Sequence, residues 1–121
     1  MYETGISMRM ISRHRLPDAS PGEREEHAHD YLVEVIAQGD GVDDLGYLVD
    51  IGALKEATSS VLDLYRGRCM NDMADFSTSG PSLENLARVI WLRLSTTLDA
   101  PQVDRLTIKI WEDDEAWASY G

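Results

Sequence analysis

HAHDYLVEVIA, His27 to Ala37, sets His27, His29, Tyr31, Val33 and Val35 on one side of an extended chain and Asp30 and Glu34 on the other. Successive side chains of a strand point to opposite faces, so this period of two describes a half-buried strand with both histidines on its apolar side. Upstream, Ile6, Met8, Met10, Ser12, His14 and Leu16 alternate with Ser7, Arg9, Arg13 and Arg15. That is a second strand, and its apolar face also carries a histidine. Pro17 to Glu26 (PDASPGEREE) joins the two; with two prolines, a glycine and a charge cluster it reads as a loop.

Downstream of the decisive strand, Gln38 to Asp44 reads as a turn and LGYLVDIG leads into a helix. The helix runs from about Ala53 to Tyr65, with Leu54, Ala57, Val61, Leu64 and Tyr65 at helical spacing. A looser segment, Arg66 to Gly80, precedes a second helix from about Ser82 to Leu98, striped by Leu83, Leu86, Ala87, Ile90 and Leu94. Pro81 and Ser82 suit its start, and Glu84 suits the positive end of its dipole. After Pro101, VDRLTIKIWED alternates Leu106, Ile108, Ile110 and Glu112 against Arg105, Thr107, Lys109 and Trp111. Strands and helices are grouped instead of alternating, which predicts an α+β protein with an antiparallel sheet covered by helices on one face. At 121 residues the chain, 1–121, is expected to be one domain.

The charge balance narrows the partners. Twenty-two acidic residues against 11 basic ones give a net charge of −11, which repels a polyanion, so no nucleic-acid partner is expected. An anionic small molecule stays compatible if a metal or local arginines dominate one pocket. Cys69 is the single cysteine, which rules out an intrachain disulfide and suits a reducing compartment. No apolar run approaches the roughly 18 residues of a membrane span. Met1 to Leu16 alternates where a signal peptide would be continuously apolar. A cytoplasmic location without membrane contact is the expectation.

The three histidines of the chain, His14, His27 and His29, all lie on the inward face of the two strands. Antiparallel pairing of those strands would gather three imidazoles on one side of the sheet. Three neutral nitrogens with no obvious fourth protein ligand match a catalytic zinc that keeps one position open. Hydrogen-bonded core histidines are the bland alternative, and the third histidine on the matching face weighs against it.

Several segments, in order, extend this pattern: RHRLP (13–17), HAHDY (27–31), LVDIGALK (48–55), MND (70–72), PSLENLA (81–87) and IWEDDEAWASY (110–120). Together they resemble the family of 6-pyruvoyltetrahydropterin synthase and bacterial 6-carboxytetrahydropterin synthase. The resemblance implies the tunnelling-fold arrangement, a four-stranded antiparallel sheet with two helices in the order β-β-α-α-β-β. It also implies a homohexamer built from two trimers, with active sites between subunits. It implies zinc held by His14, His27 and His29, and lyase chemistry on 7,8-dihydroneopterin triphosphate or a related dihydropterin. Glu112 matches the glutamate that anchors the pterin ring and takes part in the proton relay. Its two oxygens suit adjacent N–H donors of an amino-pyrimidinone. Ser82 stands where the family has a threonine near the pterin, and it reads equally as a helix cap.

The chain also departs from the family. Glu23 occupies the position of the family's cysteine base, four residues before His27. The family's leucine, aspartate and histidine segment falls on Tyr65, Arg66 and Gly67, and no further histidine exists to replace the lost one. Glu23 resembles the glutamate of a branch that cleaves the side chain in an aldolase-like way toward 6-hydroxymethyl-dihydropterin. Its neighbours Arg24, Glu25 and Glu26 fit equally a solvated charge run. A zinc-containing pterin-binding homologue without standard synthase activity is the alternative function. Cys69 reads as a small buried hydrophobe sooner than as a replacement nucleophile.

Overall fold

The computed structural model describes all residues, 1–121. Strand β1 spans Tyr2–His14, a one-turn helix α1 Pro21–Arg24, and strand β2 His27–Gly39. Helices α2 (Ile51–Asp63) and α3 (Leu83–Thr97) follow, then β3 (Arg105–Trp111) and β4 (Trp117–Tyr120). The four strands form one antiparallel sheet in the order β1-β2-β3-β4, with both long helices inserted between β2 and β3. Short 3-10 turns at Met70–Asp72 and Ala74–Phe76 punctuate the segment between the helices. No helix is long and apolar enough to cross a membrane.

The sheet buries the face that the alternation assigns inward. Met10, Tyr31, Val33, Val35, Ala37, Leu106, Ile108 and Ile110 meet Leu54, Val61, Leu62, Leu86, Ala87, Ile90 and Leu94 in one core. Each such large aliphatic side chain, taken from water, contributes about 1.5–3 kcal/mol. The α2 stripe is rotated from the expected one. Leu54, Thr58, Val61 and Leu62 are buried, and Leu64 is exposed. Positions 54, 58, 61, 62 and 65 follow the 3.6-residue period more closely, and Tyr65 closes that line just past the helix. Asp50 caps α2 by accepting the Ala53 N–H at 3.2 Å. At the far end of β2, only a glycine at position 39 leaves room for the Gln102 backbone carbonyl, which an added Cβ would strike.

Two differences from the sequence reading bear on the site. Pro17 to Glu26 is not wholly a loop, because Pro21 at the first helical position starts the turn α1 that carries Glu23. β1 ends at His14, so Leu16 has left the strand. There the chain is clamped by Asn71, whose side-chain amide accepts the Arg15 N–H at 2.8 Å and donates to the Arg15 carbonyl at 2.9 Å. The Leu16 N–H then donates to the Glu23 carbonyl at 2.7 Å.

Candidate metal centre

The β1–β2 register places His14 opposite His27 and Ser12 opposite His29, so the three imidazoles crowd one end of the inner face. Their ring centroids lie 4.5 to 5.1 Å apart. The His14 Nδ1–H donates to the Pro81 carbonyl at 2.8 Å, and the His27 Nδ1–H donates to the Glu25 carbonyl at 2.7 Å. A carbonyl oxygen only accepts, so each neutral ring keeps its proton on Nδ1 and turns the Nε2 lone pair inward. Those two Nε2 atoms face each other at 2.8 Å. The Nε2 of His29 is buried with no hydrogen-bond partner.

A single proton cannot satisfy this arrangement, since His29 Nε2 is left alone whichever of the other two it joins. A cation accepts lone pairs from all three nitrogens at once. Carbonyl oxygens orienting the far ring nitrogens are the usual outer support of metal-bound histidine. Burial pushes the His14 pKa below the ordinary imidazole value; the Pro81 carbonyl opposes the shift, and His27 and His29 add to it. The residues therefore fit a bound metal ion.

Glu23 approaches the same point. One carboxylate oxygen lies 3.0 Å from His27 Nε2 and 3.9 Å from His14 Nε2. One ligand atom from each of His14, Glu23, His27 and His29 can be chosen with all four within 4.8 Å of one another. The solvated charge run thus describes Glu25 and Glu26, both exposed, better than Glu23. Glu112 follows the last β3 residue and is half-buried. Burial raises its pKa above the usual carboxylate value; His29 opposes the shift, and Glu23, Asp113 and Glu84 reinforce it. Tyr31, next along the inner face from His29, feels both Glu112 and Glu23. Ser82 caps α3, its hydroxyl oxygen accepting the Asn85 N–H at 3.2 Å, directly after the Pro81 carbonyl that holds His14.

Other residues are placed elsewhere. Tyr65, Arg66 and Gly67 lie along the outer edge of β1. The Tyr65 carbonyl accepts the buried Ser12 hydroxyl at 2.7 Å, Arg66 pairs with Asp63, and the Gly67 N–H donates to Ile11. Cys69 contacts Arg15 and Asn71, and burial together with Glu26 pushes its thiol pKa up, the opposite of an activated nucleophile. The largest groove, about 730 Å³ between α2 and α3, contains no histidine and lies apart from this chemistry. Sequence reasoning missed the supporting carbonyls of Glu25 and Pro81, which have no side-chain signature. It also missed the clamp by Asn71, whose side chain had no evident partner in the linear order.

Comparison with known proteins agrees with this geometry. The 6-carboxy-5,6,7,8-tetrahydropterin synthase of Bacillus subtilis (strain 168) is 32% identical over 103 residues, covering 81% of this chain and 68% of that protein. The structure of Caenorhabditis elegans 6-pyruvoyl tetrahydropterin synthase superposes with a TM-score of 0.83 at 25% identity, over 98% of this chain and 94% of that one. A Plasmodium vivax 6-pyruvoyltetrahydropterin synthase in which a catalytic glutamate is replaced by alanine shares the fold, with a TM-score of 0.76 at 16% identity over 99% and 98% of the two chains. With the family's sequence model matching residues 6–121, the chain belongs to the 6-pyruvoyl tetrahydropterin synthase family.

Proposed function

We propose that this protein is a zinc-dependent lyase acting on 7,8-dihydroneopterin triphosphate or a related dihydropterin, with His14, His27 and His29 as the metal ligands. The observation that carries the reading is the convergence of three imidazoles in which His29 Nε2 is buried without a partner. Zinc bound there supplies Lewis acidity to the hydroxyl groups of the substrate side chain. Glu23 is the base that receives the proton, which its approach to His27 and His14 supports. The catalytic glutamate of the Plasmodium vivax relative gives this role a precedent within the fold. Glu112 anchors the pterin ring through its two oxygens and completes the proton relay, and the Ser82 hydroxyl borders the ring. Burial that raises the Glu112 pKa supports a role in accepting and returning a proton.

The standard aspartate–histidine pair is absent, since Tyr65, Arg66 and Gly67 stand in its place. That weighs against the standard synthase reaction, and Glu23 in the place of the cysteine makes aldolase-like cleavage toward 6-hydroxymethyl-dihydropterin an alternative. The same absence supports a second reading, a zinc-containing protein that binds dihydropterins without standard synthase activity. A homohexamer of two trimers in the cytoplasm fits both, and the edge of β4 together with the part of the β1 edge before Ile11, which residues 65 to 68 do not cover, supports assembly through edge strands. Zinc-loaded protein incubated with 7,8-dihydroneopterin triphosphate and, separately, with dihydroneopterin tests the lyase reading. Mass spectrometry should detect side-chain cleavage, and no product from either refutes it. Calorimetric binding of a dihydropterin without turnover selects the second reading, and no binding refutes that too.

A further inference from the structure

Glu23 stands closer to the histidines than a base waiting for substrate needs to stand. A tetrahedral zinc with bonds near 2.0–2.1 Å separates its ligand atoms by roughly 3.3 Å. The carboxylate oxygen at 3.0 Å from His27 Nε2 and 3.9 Å from His14 Nε2 brackets that separation. No lysine or arginine competes for it, because the ion pairs of Glu23 are with these histidines alone. Its backbone is fixed on both sides, the Glu23 N–H donating to the Ser20 carbonyl at 2.8 Å and the Glu23 carbonyl accepting from Leu16 at 2.7 Å. Only the side-chain torsions remain free to move the carboxylate.

We infer that Glu23 is a displaceable fourth ligand that closes the metal site of the substrate-free protein. This rests on the reading of the three histidines as a zinc site. Catalytic zinc sites commonly keep their fourth position for water, and four protein ligands mark a closed site. Here the ligand that closes the site is the group also assigned as base. With a metal held by the three histidines, a substrate hydroxyl competing for the fourth position would release the Glu23 carboxylate to act as the base. The resting protein consequently resists small anions and holds its metal more tightly than three histidines alone would.

Cobalt(II) serves as the probe, because it accepts the same donors and its visible absorption reports coordination. Wild-type protein, Glu23→Gln and Glu23→Ala are loaded with cobalt and titrated with azide, and zinc affinity is measured against a chromophoric chelator. Circular dichroism verifies folding, and α1 buries no residue, so both variants should retain the fold. The expected result is a wild-type spectrum unmoved by azide at concentrations that shift Glu23→Ala, with zinc binding at least roughly tenfold weaker in Glu23→Ala. Equal azide response and equal zinc affinity in wild type and Glu23→Ala overturn the inference while leaving the histidine site intact. Failure of the wild-type protein to take up cobalt or zinc overturns both this inference and the zinc reading beneath it.

Discussion

Asn71 ties the segment after the first histidine to the rest of the fold, and its replacement by alanine has a calculable cost. The side chain makes two partly buried hydrogen bonds to the backbone of Arg15, at 2.8 and 2.9 Å across 56 residues of sequence. At a net value near 1 kcal/mol each, Asn71→Ala removes about 2 kcal/mol. The cost rises toward 4 kcal/mol to the extent that water fails to reach the freed Arg15 groups. With about 2.1 cal/mol/K per residue, unfolding entropy for 121 residues is about 0.25 kcal/mol/K, so the midpoint should fall by about 8 °C. Asn71→Asp keeps the acceptor for the Arg15 N–H and loses the donor, so it should fall by about half as much. Thermal unfolding of metal-stripped protein at fixed concentration is the assay, because ligand binding and assembly both shift the midpoint. A shift below about 2 °C for Asn71→Ala refutes the claim that this clamp holds the loop carrying Glu23.

Three further outcomes follow from the same structure. Thr58 is buried in α2 with its hydroxyl unpartnered, so Thr58→Val should stabilise by about 1 kcal/mol in urea unfolding, and destabilisation would mean that the hydroxyl is satisfied. Glu112 has a folded-state pKa raised by burial, so the native protein binds its proton more tightly than the unfolded chain does, and this group's contribution weakens as pH rises through its ordinary value and up to the raised one. Glu112→Gln should therefore raise the midpoint of metal-free protein at pH 7 and lose that advantage near pH 4; a gain that is the same at both values would contradict the assignment. Zinc at 100 times its dissociation constant should add about 2.7 kcal/mol to wild type, seen as a higher melting midpoint that a chelator reverses. His29→Ala should abolish most of that increment, and an unchanged increment would remove His29 from the ligand set.

The period-two alternation of two stretches carried most of the fold. His14, His27 and His29 fall on one face because side-chain direction in a strand depends on parity alone, and the structure pairs the strands in the register that brings them together. Helix existence was legible for the same reason, whereas the buried side of α2 was not. Ala57 and Leu64 are apolar too, and only the packing of α2 against β1 and α3 decides that Thr58 and Leu62 turn inward. The fourth strand, Trp117–Tyr120, is too short for periodicity to reveal and followed only from the resemblance. Glu23 was ambiguous because its neighbours form a charge run. Its approach to the histidines rests on the Leu16 hydrogen bond and the turn α1, both products of tertiary contact.

The segment that the resemblance aligns with the family's aspartate–histidine pair has a different task here, which fits the proposal that the base comes from α1. Gly67 adopts φ +69°, a left-handed conformation that a side chain would strain, and its N–H reaches the Ile11 carbonyl. The next carbonyl, of Arg68, accepts the Arg13 N–H at 2.9 Å and the Ser12 hydroxyl at 3.1 Å. Residues 65 to 68 thus close the outer edge of β1 beside the residues that precede His14, using their backbone for the sheet. A histidine at position 67 would meet the unfavourable φ, at a cost of order 1–3 kcal/mol. Restoring the ordinary relay by substitution at 66 and 67 therefore disturbs the strand that positions His14 before it supplies a proton acceptor. Glu23 has no such conflict. It approaches from the opposite connection, on a turn whose backbone is already hydrogen-bonded, and it brings a negative charge to the cluster of three imidazole nitrogens.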